Sequence, residues 1–189
     1  MRVAPRPHLL GIDDGPFDKF ADARVPLVGV VMEGADRIEG VATTSFPVDG
    51  DRAAEFLAGW VASLRWRPLL HGVVLGGITL AGLAVVDVRR LAEALALPVL
   101  VVNRRDPAQT RLHAALRAAG LPERCALVER SPAASRVSAG LYVAAAGADA
   151  ETAAALVRAS RAKSALPEPL RVAHLIASAL ARGESRGRV

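Results

Sequence analysis

Apolar and polar positions follow two rhythms along this chain. In the first third, short apolar or alternating runs at His8 to Ile12, Leu27 to Met32 and Ile38 to Val48 are separated by charged, turn-forming segments too short to hold a helix. Connections that short make neighbouring strands antiparallel, so the opening is predicted to be a three-strand meander. From Asp51 the period changes. Ala53, Phe56, Leu57, Trp60, Val61 and Leu64 recur at three- and four-residue steps, the stripe of an amphipathic helix. Beyond it the pattern predicts a strand at Gly72 to Leu75, a Gly-rich turn, a helix opened by Asp87 and a strand at Pro98 to Val102. A helix opened by Asp106 and Pro107 and closed by Gly120 follows, with Pro and Gly at the ends that favour them. Short strands near Cys125 to Val128 and Val137 to Ala144 precede helices over Asp149 to Ala159 and Pro167 to Arg182.

An antiparallel opening joined to parallel strands with crossover helices gives a mixed α/β sheet covered by helices. With an acidic residue ending the first strand, that order points to a ribonuclease-H-like architecture. Residues 1–182 read as one domain and 183–189 as a basic tail. A chain of 189 residues, 52% hydrophobic, can bury a sizeable core. Prolines interrupt the first residues where a signal peptide needs an apolar run, and no stretch has the length of a membrane span, so a cytoplasmic protein is expected. The single cysteine, Cys125, lies in an apolar run without a disulfide partner and reads as a core residue.

Charge changes the picture at one end. Of the net +5, +4 falls in residues 151–189, which hold six Arg and one Lys against three Glu. This bias suits an anionic partner, although an Arg-rich chain with two lysines also fits the base composition of its coding DNA.

Candidate chemistry gathers at the two ends. Asp13 and Asp14 stand where the first apolar run stops and Gly15-Pro16 begins. Strand side chains alternate in direction, so both point the same way only if the backbone leaves the pleat at Gly15; ordinary turn residues are the plain alternative. In the last helix, Val172, Leu175, Ile176, Ala179 and Leu180 form one apolar arc with His174 opposite. Arg171, His174, Ser178 and Arg182 form a polar stripe suited to phosphate, or to a solvated face. Gly76 and Gly77 after the fourth strand allow close backbone approach to a phosphate but lack a nucleotide-loop spacing. Arg104 and Arg105, ending the next strand, are candidate backbone contacts or a surface pair.

The segment Leu166-Pro167-Glu168-Pro169-Leu170-Arg171-Val172-Ala173-His174 resembles the Pro-Glu-Pro-Leu/Thr-Arg-Leu-Ala-His/Asp stretch near the C-terminus of endonuclease V, and Gly11-Ile12-Asp13 resembles that family's first catalytic strand. Through Gly-Ile-Asp-Asp-Gly-Pro-Phe, Val-Asp-Gly at 48–50, Gly-Ile-Thr-Leu-Ala-Gly at 77–82 and Gly-Glu-Ser-Arg-Gly-Arg at 183–188, the whole chain looks still more like an archaeal and bacterial branch related to endonuclease V. The resemblance implies cleavage of a phosphodiester near a deaminated base, dependent on Mg²⁺ or Mn²⁺, with DNA favoured over RNA as partner. It makes Asp13 the first metal-binding carboxylate and His174 the match to the last-helix His/Asp, and it brings Asp49 near a family glutamate. Asp14 is a supporting carboxylate. Arg171, Arg182 and Arg186 join Arg104 and Arg105 as nucleic-acid contacts.

One departure matters. Where endonuclease V carries Asp-Gly after the fourth strand, this chain has Gly76-Gly77, so a principal ligand is missing. Asp87 is a candidate replacement, but it also stands where a helix N-cap belongs; Asp49 also fits a turn. The alternative function is a nucleic-acid-binding protein of the same fold without catalysis.

Overall fold

The computed structural model describes residues 3–105, 107, 109–162 and 164–185. Strand β1 (His8–Asp14) lies between β2 (Arg24–Glu33), which runs antiparallel to it, and β4 (Gly72–Leu75), which runs parallel. Strand β3 (Arg37–Pro47) completes the meander outside β2. On the other side, β7 (Val99–Asn103) is parallel to β4, and the hairpin β8 (Ser135–Ser138) and β9 (Leu141–Ala146) closes the sheet with β9 antiparallel to β7. The order is β3-β2-β1-β4-β7-β9-β8, a mixed seven-strand sheet with its antiparallel meander at one edge. The parallel run ends at β7.

Helix α1 (Ala53–Ser63) buries Ala53, Leu57 and Val61, as its stripe predicts. Helix α2 (Val88–Leu95) buries Val88, Leu91 and Leu95. Both belong to the core on one sheet face, with Leu10, Ile12, Val73, Leu75, Val99 and Val101. On the other face, Leu9, Val74, Leu100 and Val102 pack with α5 (Ala150–Ala159) and the start of α6 (Glu168–Arg182). Asp149 caps α5, its Oδ1 accepting from the Thr152 N–H at 2.7 Å.

Three expectations change. Residues 125–128 are helical, within α4 (Cys125–Arg130), not a strand. A four-residue apolar run fits either element, and here Cys125 and Val128, three apart, are buried together beside Leu116 of α3 (Gln109–Ala118). The expected strand from Val137 to Ala144 is broken at Gly140, whose φ of +68° turns the chain into the β8–β9 hairpin. The Gly-rich turn after β4 contains a small separate hairpin, β5 (Thr79–Leu80) and β6 (Ala84–Val85).

The largest correction concerns α6. Its sheet-facing side is Leu170, Ala173 and Ala177, with Ser178 also buried and His174 half-buried beside them. The predicted arc is turned away from the centre of the sheet: Val172 and Ile176 pack partly against Val28, Val30 and Met32, and Leu180 is 58% exposed. The reason lies in β1. A Cβ at Gly11 would stand 2.2 Å from the carbonyl carbon of Pro169 and 2.3 Å from the Leu170 nitrogen, so helix backbone rests directly on strand backbone. Small residues set that distance, and large apolar side chains at the seam would prevent it.

The helix expected to open at Asp106 is described from Gln109, and Asp106 lies outside the described residues. So do Arg186 and the last three residues of the expected tail. Among the described residues no helix is long and apolar enough to cross a membrane.

Candidate active site

The close seating of α6 on β1 places the end of the strand beside the middle of the helix. Alternation puts Asp13 on the α6 face, with Leu9, and Asp14 on the opposite face, with Leu10 and Ile12. His174 Nδ1 lies 2.7 Å from Asp13 Oδ2. A carboxylate can only accept, so Nδ1 carries the proton and donates it to Asp13. That bond raises the imidazole above its ordinary pKa against a lowering by burial, and the negative charges of Asp13 and Asp14 act in the same direction. Asp13 thus orients the ring and favours its protonated form.

Asp14 reaches the other way, its Oδ2 accepting from the Ala81 N–H at 2.7 Å in the β5–β6 turn. Burial pushes its carboxyl above the usual range; the Ala81 N–H opposes this, and the charge of Asp13 adds to it. Strand β1 ends at Asp14, and the Gly15 N–H extends its register with β2 by one step, donating to the Pro26 carbonyl at 3.0 Å. At this strand end both aspartates border one open space, a cleft of 450 Å³ shared with Phe17, His174, Ser178 and Arg182. A second cleft, of 340 Å³, meets Asp13 and His174 from the side of β7. Gly76, Asn103 and Arg104 supply its polar and backbone lining, and Val102, Leu166 and Leu170 its apolar wall.

Gly76 is next to the carboxylate. A Cβ there would stand 3.3 Å from Asp13 Oδ1, so any side chain at 76 would project at Asp13. The backbone of 76 and 77 instead forms part of a small recess of 50 Å³ under the two aspartates.

Two expected carboxylates are engaged elsewhere. Asp49 sits at φ +51° after β3, with Oδ1 accepting from the Leu83 N–H at 2.7 Å and Oδ2 paired with Lys19 Nζ at 3.0 Å. Burial raises its carboxyl, but the Leu83 N–H and Lys19 outweigh this and leave it below the ordinary value. Its own N–H donates to the Ala81 carbonyl at 2.9 Å. Asp49 is thus a clasp for the β5–β6 turn. Asp87 caps α2, Oδ1 accepting from the Arg90 N–H at 3.1 Å while Oδ2 pairs with Arg130 at 3.3 Å. It borders a different groove, with Arg89 and Glu93, and does not replace the carboxylate missing at 76. Among the described residues no group of three or more His, Cys, Asp or Glu is gathered to hold a metal ion.

Of the expected nucleic-acid contacts, Arg104 and Arg182 reach the two clefts. Arg105 is exposed at the end of β7. Arg171 is bound to the buried Glu168, Nε to Oε2 at 2.7 Å, which holds the first turn of α6 together. Sequence reasoning missed Asn103 and the buried Arg124. The first ends an otherwise apolar strand just before Arg104, a signal open to notice. The second is buried by contacts distant in sequence, donating to the Leu83 carbonyl and the Asp49 carbonyl at 2.8 Å each and to Asp51 at 2.5 Å.

Sheet order, strand directions and the α6 seat define an endonuclease V-like fold. The chain is similar to the crystal structure of endonuclease V from Streptomyces avermitilis, with TM-score 0.59 and 19% identity over 92% of this chain and 80% of that one. It is also similar to endonuclease V of Ciona intestinalis, crystallised with a 24mer DNA containing an inosine followed by a ribo-adenosine, with TM-score 0.57 and 17% identity over 89% and 82%. The Endonuclease dU family model matches residues 5–181, and the chain belongs to that family. A UPF0215 protein of Methanothermobacter thermautotrophicus is 42% identical over 95% of this chain and 90% of its own length. A crystal structure of a protein of unknown function from Archaeoglobus fulgidus superposes with TM-score 0.85 at 35% identity, over 93% and 98% of the two chains.

Proposed function

We propose that this protein is a metal-dependent endonuclease that cleaves DNA beside a deaminated base such as uracil or hypoxanthine. The observation that carries the reading is the Asp13–His174 pair, set at the carboxyl end of β1 where two clefts meet, in a member of the Endonuclease dU family.

The donor set fits one hydrated divalent ion. Mg²⁺ keeps much of its water and needs one or two carboxylates together with substrate phosphate. Asp13 would supply one, and Asp14, whose Oδ2 is held by the Ala81 N–H, would offer its other oxygen where the two border one cleft. A second resident ion has no such support, since residue 76 is glycine and Asp49 and Asp87 are engaged elsewhere. When bound, the ion would acidify a water and neutralise charge on the leaving oxygen. His174, held by Asp13 through Nδ1 with its pKa raised, borders both clefts, where its ring would donate to a phosphate oxygen. Arg104 and Arg182 add positive charge on the two sides of that position, and Leu166 and Leu170 give one cleft an apolar wall.

The second reading is a non-catalytic nucleic-acid-binding protein, favoured by the missing side chain at Gly76. Oligonucleotides containing deoxyuridine or deoxyinosine, incubated with Mg²⁺, Mn²⁺ or chelator, separate the two. Strand cleavage that requires the metal supports the nuclease; binding without cleavage under any of these conditions selects the second reading.

A further inference from the structure

The carboxyl edge of the sheet bears a row of side chains that the proposed reaction leaves unused. Strand pairing sets Asn103 of β7 opposite Tyr142 of β9, and Tyr142 opposite Arg136 of β8. Directly opposed residues project to the same face with Cβ atoms about 5 Å apart, so the three form one line across three strands. The pleat tells which face. Val101, two before Asn103, and Ala144, two after Tyr142, belong to the core with α1 and α2, whereas Val137, next to Arg136, packs in the opposite core.

The line is continuous with the acidic end of β1. Ile12, Leu75 and Val101 are the last residues in register across β1, β4 and β7, and two residues further lie Asp14 and Asn103. Asn103 also borders the cleft at Asp13. The chemistry is specific in kind: an amide that both donates and accepts, the only tyrosine in the chain, and an exposed guanidinium. Among the described residues none of the three side chains has a hydrogen bond or ion pair, so their polar groups are open to a ligand.

We propose that this row receives the substrate strand as it leaves the cleft, as single-stranded nucleic acid. An unpaired base stacks on Tyr142, Asn103 bonds to the nucleotide nearer the end of β1 at Asp14, and Arg136 holds a phosphate about 10 Å beyond Asn103, two strand spacings away. A duplex keeps its bases stacked on one another and cannot use the tyrosine. The proposal rests on the nucleic-acid reading above.

Binding of a fluorescein-labelled oligothymidine strand, followed by anisotropy in metal-free buffer over a range of salt, tests it. Tyr142→Ala is expected to weaken binding about tenfold and Tyr142→Phe to leave it within about twofold, because stacking needs the ring and not the hydroxyl. Arg136→Ala, at an exposed position, should fold as wild type and reduce the slope of log K against log salt by about 0.7. Tyr142→Trp should show tryptophan quenching on binding beyond that of the wild type, which decides the matter if Tyr142→Ala does not fold. Wild-type slope and affinity in Arg136→Ala, or no added quenching in Tyr142→Trp, would overturn the row while leaving the nuclease reading in place. A wild-type protein that binds no nucleic acid removes both.

Discussion

Asp13 and Asp49 each follow an apolar stretch of an early strand, yet they end in opposite chemical situations. Asp49 has both oxygens satisfied, by the Leu83 N–H and by Lys19, and its backbone is tied to Ala81 and Arg124. Asp13 has the His174 ring and two open clefts. A carboxylate surrounded by fixed donors is part of the fold, because moving it would leave those donors unpaired. One held by a single titratable ring at the mouth of a cleft can exchange partners with an ion or a substrate. The difference is created by topology: among the described residues the α6 side chain bonded to Asp13 is His174, whereas the β3–α1 turn meets the backbone donors of the β5–β6 hairpin.

The largest effect expected from this contrast is on cleavage. Asp13→Asn should reduce it by at least about a hundredfold, the scale of losing a positioned acid–base or ligand group. Asp49→Asn should leave cleavage per folded molecule within about twofold. Asparagine still accepts from Leu83 and tolerates the left-handed backbone, so only the half-exposed Lys19 pair is lost, at a cost of about 1 kcal/mol in a urea titration. Equal losses of cleavage in the two variants would end the distinction.

A smaller effect is expected at the hub of the clasp. Arg124 is 6% exposed, and Arg124→Met would leave the Leu83 and Asp49 carbonyls without their donor. The expected loss is about 3 kcal/mol of unfolding free energy, from two buried acceptors left unsatisfied. Under the proposed nuclease reading, the folded fraction should cleave as the wild type does. Loss of cleavage with an unchanged urea midpoint would instead make the clasp part of the site.

The same contrast explains what could be read in advance. The meander, α1 and the Asp87 cap follow from local period or local capping, and Asp13 and His174 were each singled out by a motif at one end of the chain, though not their contact. Residues 125–128 do not follow, because four apolar residues have no period of their own. The seat of α6 was missed for a physical reason. Helical arithmetic ranks faces by the size of their apolar side chains, but here the buried face is the one with the smallest residues, selected by Gly11 on a strand some 160 positions away. Asp49 was brought forward by its place near a family glutamate and Asp87 by its place after Gly76-Gly77. The cap at Asp87 was legible in the sequence, whereas the Leu83 and Lys19 donors that occupy Asp49 are distant in sequence.

The finest test uses opposite responses to pH. His174 has its folded pKa raised by Asp13, so the pair stabilises the fold fully below the unfolded value of about 6.5, and that contribution is lost as pH rises through the raised folded value. Asp49 has its folded pKa lowered, so its contribution is present above the unfolded value of about 3.9 and is lost as pH falls through the depressed one. Unfolding free energies in chelator, measured from acid to mild alkali, should therefore separate the variants by direction. The deficit of His174→Gln relative to wild type should shrink toward alkaline pH, and that of Asp49→Asn should shrink toward acid. Asp14 is coupled to the ring, which lowers its carboxyl pKa, so His174→Gln also raises Asp14 and the comparison is read with the Asp14→Asn background beside it. A His174→Gln deficit that stays constant across the range would mean that the ring is held to Asp13 as a neutral donor; its role toward phosphate would then be reduced to that of an uncharged hydrogen bond.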